Sequence, residues 1–191
     1  MTWISYLMRI LSKCGIVKST EPELKLTLFR MKIRKTGYRK PVPEGMKRYA
    51  DIDWMRFKDL AGKLVGKPYK FGAEVNLKDP DPFHIKAIDC SEICEWLFAQ
   101  IGLYLPDGSY NQIKYTVPVD PKNLLAGDLG FKWNPETEVV HHVGIYLGND
   151  RLIEAKGKKW GVVIVSASDF QASSHFARWG RHKEVYVDGT T

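Results

Sequence analysis

The hydrophobic period changes once along this chain, and that change limits the folds open to it. In the first part apolar positions recur at helical spacing. Trp54, Phe57, Leu60, Ala61 and Leu64 share one face of a helix that Asp51 or Asp53 can cap and that Gly66 and Pro68 stop. Asp89 opens a second helix with Ile93, Cys94, Leu97, Phe98 and Ile101 as its inner stripe and Gly102 as its close. Beyond residue 127 the period becomes two, predicting strands at 128–133, 139–147, 151–156, 161–165 and 181–187. Helices first and antiparallel strands after them argue for an α+β fold rather than alternating βαβ units.

Ahead of the first of these helices, Trp3, Leu7, Ile10 and Leu11 predict a short amphipathic helix, and Leu24, Leu26 and Leu28 alternate with polar Lys25 and Thr27 as in a strand. The stretch 36–45 carries two Pro and two Gly and can continue neither element, so the domain border is expected near 50. Charge divides the same way. Residues 1–50 hold 12 basic and 3 acidic side chains, while 51–191 hold 17 and 19. The chain is thus read as a basic N-terminal extension, 1–50, and a nearly neutral domain, 51–191. Such an extension either docks on a protein or an anionic polymer or is simply solvated. No specific nucleic-acid binding is expected, because the segment has no recognition motif and no interleaved aromatics.

With 191 residues, 44% of them hydrophobic, the chain can bury a sizeable core. Its longest apolar runs, such as 161–165, fall far short of the ~20 residues needed to span a bilayer. Three cysteines, Cys14, Cys90 and Cys94, make no disulfide framework and suit synthesis in a reducing compartment. The first residues place Arg9 inside an apolar stretch and lack a small-residue cleavage site, so no secretory signal is expected. His84, His175 and His182 have no partners at metal-ligand spacing, and neither a metal nor any other cofactor is predicted.

The chemistry concentrates in three residues. Cys90 follows the capping Asp89 at the positive end of a helix dipole, where a thiolate is favoured over a thiol. A small buried hydrophobe is the plainer reading of such a cysteine taken alone. In the strand around 139–147, alternation puts Val139, His141, Val143, Ile145 and Leu147 on an apolar face, and His142 with Gly144 and Tyr146 on the other. Glu154 lies across a turn centred on 148–150. An odd loop sets it on the face of His142, diagonal to that imidazole; an even loop sets it with His141.

The run AIDCSEICEWLFAQIGLYLP, then LLAGDLGF, then HHVGIYLGNDRLIEAKG followed by GVVIV resembles the NlpC family of papain-like cell-wall cysteine peptidases. The resemblance extends over about residues 55–185. It implies a papain-like fold, with N-terminal helices packed on an antiparallel β-sheet. It makes Cys90 the nucleophile, His142 the general base and acid, and Glu154 the orienting third member, and it selects the odd loop. A histidine is commoner in the family at the third position, so Glu154 is a departure, but a carboxylate would nonetheless hold the imidazole tautomer and stabilise imidazolium. The resemblance further brings Tyr69 to the cleft as a substrate or oxyanion donor, and Asp89 and Ser91 to the free amine of a stem peptide. Glu92 and Ala73 stand where the family usually has glycine. Cys94 is assigned to packing and Asp128 to a turn.

The implied activity is hydrolysis of an amide bond in peptidoglycan stem peptides, next to a γ-linked D-glutamate, with backbone amides at the helix start as oxyanion donors. A wall enzyme made in the cytoplasm without a signal needs another exit. Release at lysis or incorporation in a phage particle, as in a tail tip, would provide one, with residues 1–50 docking on phage tail proteins or anionic wall polymers. The contrasting expectation is a structural or assembly protein of a phage particle that keeps a papain-like fold with little or no activity.

Overall fold

The structure, a computed structural model, describes residues 41–189. The expected helix at Trp3 to Leu11, the strand at Leu24 to Leu28 and Cys14 lie outside the described residues. The first helix, α1 (Trp54–Leu64), is capped by the Asp53 carboxylate, which accepts the Arg56 N–H; Phe57, Leu60, Ala61 and Leu64 are its buried face. The second, α2 (Cys90–Ala99), is buried from Cys90 through Phe98. It is therefore a central helix with no solvent face, although Glu92, Glu95 and Trp96 read as outward-facing by periodicity alone.

Six strands form one antiparallel sheet: β2 (Thr116–Val119), β3 (Leu129–Asn134), β4 (Val139–Gly148), β5 (Arg151–Ala155), β6 (Val162–Ser166) and β7 (Phe176–His182), in the order β2-β7-β3-β4-β5-β6. The strands expected from 128 to 165 are present to within a residue or two. β7 starts earlier than expected, and β2 was hidden by Pro118, which is tolerated because β2 is an edge strand.

The main core packs α1 and α2 against the sheet through Phe57, Leu64, Ile93, Leu97, Phe98, Leu129, Phe131, Val143, Ile145 and Ile153. A second cluster, Leu152, Ala167, Phe170 and Trp179, seats the short helix α4 (Ala167–Ala172). Between α2 and β2 lies a short helix, α3 (Ser109–Gln112), which runs on into a 3₁₀ turn at Ile113–Tyr115. Asp128 is more than a turn residue. It is 1% exposed, accepts the Leu125 N–H, and pairs through both oxygens with Arg181 at 2.8 and 2.7 Å.

Two short parallel strands, β1 (Lys47–Arg48) and β8 (Val185–Tyr186), tie the segment before α1 to the end of the domain. Arg48 is buried and bonds to Asp188, and the Tyr49 ring stacks on Trp54. Strand pairing thus reaches back to Lys47. Among the described residues no helix is long and apolar enough to cross a membrane.

Candidate active site

Cys90 is the first residue of α2, and its Sγ lies 4.0 Å from the carbonyl oxygen of His141 on β4. What presses the helix start against this strand is the burial of Ile93, Cys94 and Leu97 beside Val143 and Ile145 in one core. Burial pushes the Cys94 thiol well above its ordinary range, so Cys94 is inert packing, with its thiol donated to the Cys90 carbonyl.

The Nε2 of His142 lies 2.6 Å from Glu154 Oε2, and Glu154 is 2% exposed. The loop between β4 and β5 is not the expected odd one. Gly148 pairs with Arg151, leaving the two residues Asn149 and Asp150, both in left-handed conformation with φ of 53° and 56°, as a tight hairpin turn demands. By parity alone this loop would set Glu154 beside His141. A bulge between Tyr146 and Gly148 adds Leu147 to one strand only, which restores the register Ile145–Ile153 and returns Glu154 to the side of His142.

A second irregularity sits at His141, where Lys132 pairs with His142 and Trp133 with Val140. The expected faces therefore change before residue 142. Val140, not Val139, packs against the core, and His141 is exposed instead of facing apolar neighbours.

Electrostatics couples the three residues. Burial alone would lower the His142 pKa, but hydrogen bonds to Cys90 and Glu154, together with the charges of both, push it up to about 9. For Glu154, burial opposes ionisation, yet the hydrogen bond from His142 and the nearby His142, Lys156 and Lys132 charges hold it below the ordinary carboxylate range. With Nε2 committed to Glu154, Nδ1 is the nitrogen left for Cys90. This arrangement can hold an imidazolium beside a thiolate and return its proton to a leaving group.

Of the other expected site residues, Tyr69 is half-buried and joined to Ile88 by an isolated bridge; burial and then the charges of Cys90 and Asp89 raise its phenol. Asp89 is fully engaged. One oxygen accepts the Ser91 N–H, the Ser91 hydroxyl and the Glu92 N–H, and the other accepts the Gly72 N–H. The expectation that several helix-start amides serve an oxyanion is therefore corrected: those of Ser91 and Glu92 are used by the cap. The Cys90 N–H is not among the amides the cap uses. Glu92, at the position where glycine is usual, accepts the Val75 N–H and so clamps the loop over the helix start.

Glu92, Glu95 and Asp107 bring carboxylate oxygens within 4.8 Å of one another, a grouping with the donors to hold a cation. Burial, then the charges of Glu92, Asp107 and Asp89, push Glu95 up to about 8, so a proton retained at neutral pH already relieves this cluster. Sequence reasoning passed over Lys132, Lys156 and Phe170. Lys156 lies two residues from Glu154 and so shares its face, a signal that was there to use; Phe170 reaches the His142 ring at 6.1 Å from a separate helix and left none.

A cysteine at a buried helix start facing a histidine on an antiparallel sheet defines the papain-like class of folds. Within that class the NlpC/P60 family profile matches residues 66–181, more than half of the chain, and the chain belongs to that family. It is 30% identical over 122 residues to the bifunctional muramidase/DL-endopeptidase CwlT of Bacillus subtilis, covering 63% of this chain and 34% of the relative. Among solved structures, the peptidoglycan hydrolase RipB of Mycobacterium tuberculosis superposes with a TM-score of 0.58 at 24% identity, over 84% of this chain and 81% of that one. RipD of the same organism, described as a non-catalytic NlpC/p60 domain protein, shares the fold with a TM-score of 0.53 at 19% identity, over 68% of this chain and 96% of that one. The chain spans 20% to 44% of the length of the curated relatives it matches.

Proposed function

We propose that this protein is a cysteine endopeptidase that hydrolyses an amide bond in peptidoglycan stem peptides. The observation that carries the reading is the Cys90–His142–Glu154 arrangement, with His142 bonded at 2.6 Å to a buried carboxylate and coupled to the thiol. Cys90 thiolate attacks the scissile carbonyl, and the Cys90 N–H and the Tyr69 hydroxyl stabilise the oxyanion. His142 then gives its proton to the leaving amine. Water, deprotonated by the same imidazole, hydrolyses the thioester. Glu154 keeps the ring oriented and its charge balanced throughout. Asp89 and Ser91, beside the nucleophile, are the positions that the family resemblance assigns to a free amine of the stem peptide, and binding it there would draw on the oxygens that now hold the cap. The names of CwlT and RipB support this substrate class.

Digestion of purified peptidoglycan, followed by mass spectrometry of the muropeptides, tests the reading. The wild type should release stem-peptide fragments, and Cys90→Ser should lower the rate by at least ~10³-fold while leaving the melting temperature nearly unchanged. An inactive wild type would favour the assembly role, and an active Cys90→Ser would remove the mechanism. Virion association or release at lysis is a further proposal that rests on the sequence alone; assaying phage particles and lysate fractions separately for the protein tests it.

A further inference from the structure

Glu154 is nearly sealed from solvent, with a side chain only 3% exposed, and it accepts a 2.6 Å hydrogen bond from His142. A buried carboxylate in contact with an imidazole has two arrangements: the ion pair, or a neutral pair formed when the proton crosses to the carboxylate. Only the first leaves the proton on His142 for a leaving amine. Burial by itself favours the neutral pair, so something in the fold has to hold the charge on Glu154.

Two lysines stand where they can do so. Lys156 follows β5 on the face of Glu154, and its Nζ is 3.7 Å from Glu154 Oε1, the oxygen that His142 does not use. Lys132, on β3, pairs directly opposite His142, and its Nζ lies 4.4 Å over the ring of Phe170, whose centroid is 6.1 Å from that of His142. The register that joins Ile145 to Ile153, carried one residue past β5, sets Lys156 across from His142 on the other side. His142 thus has Lys132 of β3 on one side and Lys156, just past the end of β5, on the other. On its other side Glu154 pairs with apolar Val163 of β6, and Cys90 on α2 reaches it only through His142.

We propose that Lys156, seconded by Lys132, is a positioning residue that keeps Glu154 ionised and thereby keeps the transferable proton on His142. Thiolate, imidazolium and carboxylate together carry one net negative charge, which a single ammonium cancels. This inference rests on the reading of His142 and Glu154 as the working pair, and a carboxylate at the third position needs such a cation where a histidine would not.

Carboxyl ¹³C NMR of Glu154 as a function of pH, assigned with Glu154→Gln, reads the effect without substrate. In the wild type Glu154 should titrate below the ordinary glutamate range. Lys156→Met should move that midpoint up by about half a pH unit or more, less than a buried pair would give because Lys156 is part-exposed. Lys156→Arg should restore it, and adding Lys132→Met should move it further. Hydrolysis by Lys156→Met should fall in kcat on the acid limb with KM unchanged, by no more than about 1.5-fold at pH 5 for a half-unit shift, and the loss should vanish at pH 7. A Glu154 midpoint unmoved in both lysine variants overturns the proposal. A moved midpoint in a wild type that cleaves no peptidoglycan would overturn the peptidase reading alone.

Discussion

His142 and Glu154 meet at 2.6 Å across the β4–β5 hairpin only because Leu147 is bulged out of register. The contact has a sign that pH can read. His142 is raised to about 9 from its ordinary value of 6.5, so the proton it holds stabilises the fold fully below pH 6.5, and that contribution is lost as pH rises through about 9. Hydrolysis should fall on its alkaline side near the same pH. Glu154→Gln removes the charge and should move that limb downward while cutting kcat/KM by ~10²-fold. Rate–pH profiles of the two proteins check this; coincident alkaline limbs would separate His142 from Glu154.

The adjacent histidines should behave differently. His142→Ala should reduce hydrolysis to background. His141→Ala, which alters an exposed bulge side chain, should leave stability within ~0.5 kcal/mol and retain most activity, because the His141 group that faces Cys90 is its backbone carbonyl. Parallel activity assays and thermal melts decide.

Gly144 lies between His142 and Tyr146 where no side chain fits. A Cβ there would stand 2.6 Å from Leu152 Cδ2 and 3.1 Å from the Ile153 carbonyl. Gly144→Ala should cost about 1–3 kcal/mol by overpacking. It should also lower kcat about 10-fold or more by prising β4 from β5. An active, unchanged variant would mean that the hairpin tolerates the separation.

The buried Asp128–Arg181 pair predicts a stability effect away from the chemistry. Asp128→Ala leaves Arg181 buried without its counter-ion and should cost about 3–5 kcal/mol in denaturant unfolding. Replacing both with apolar residues of similar size should cost much less, and a double variant as unstable as the single one would contradict this account.

Truncation separates the extension from the domain. A chain starting at Val42 should fold and hydrolyse as the full chain does, since it keeps β1, Arg48 and Tyr49. Starting at Asp51 removes them and should lower the melting temperature by about 4–8 °C, equivalent to roughly 2 kcal/mol in a domain of this size. If 1–41 dock on a polyanion, pull-down of wall polymer by the full chain should weaken steeply with salt, because screening acts first on exposed charges.

The sequence by itself determined the two main helices, the strands from 128 to 165 and the helix-start cysteine behind its capping aspartate, while the choice of Cys90, His142 and Glu154 as a set came from the family resemblance. The elements follow from local rules: period, capping and turn chemistry act over a few residues, and Asp53, Asp89 and Gly102 each do what their neighbours in the chain require of them. Tertiary structure decided the rest. Whether Glu154 faces His142 depended on Leu147 being extruded from the ladder, which no pattern within the hairpin announces because an even loop with a bulge and an odd loop without one leave the same alternation in the strands. The burial of Glu92 and Glu95 came from packing on both sides of α2, and the lysines near His142 came from β3 and from just past the end of β5, brought together by pairing across the sheet. Side-chain orientation at a bulge and charge environment in a core are set by what lies across space, and periodicity along the chain carries no record of it.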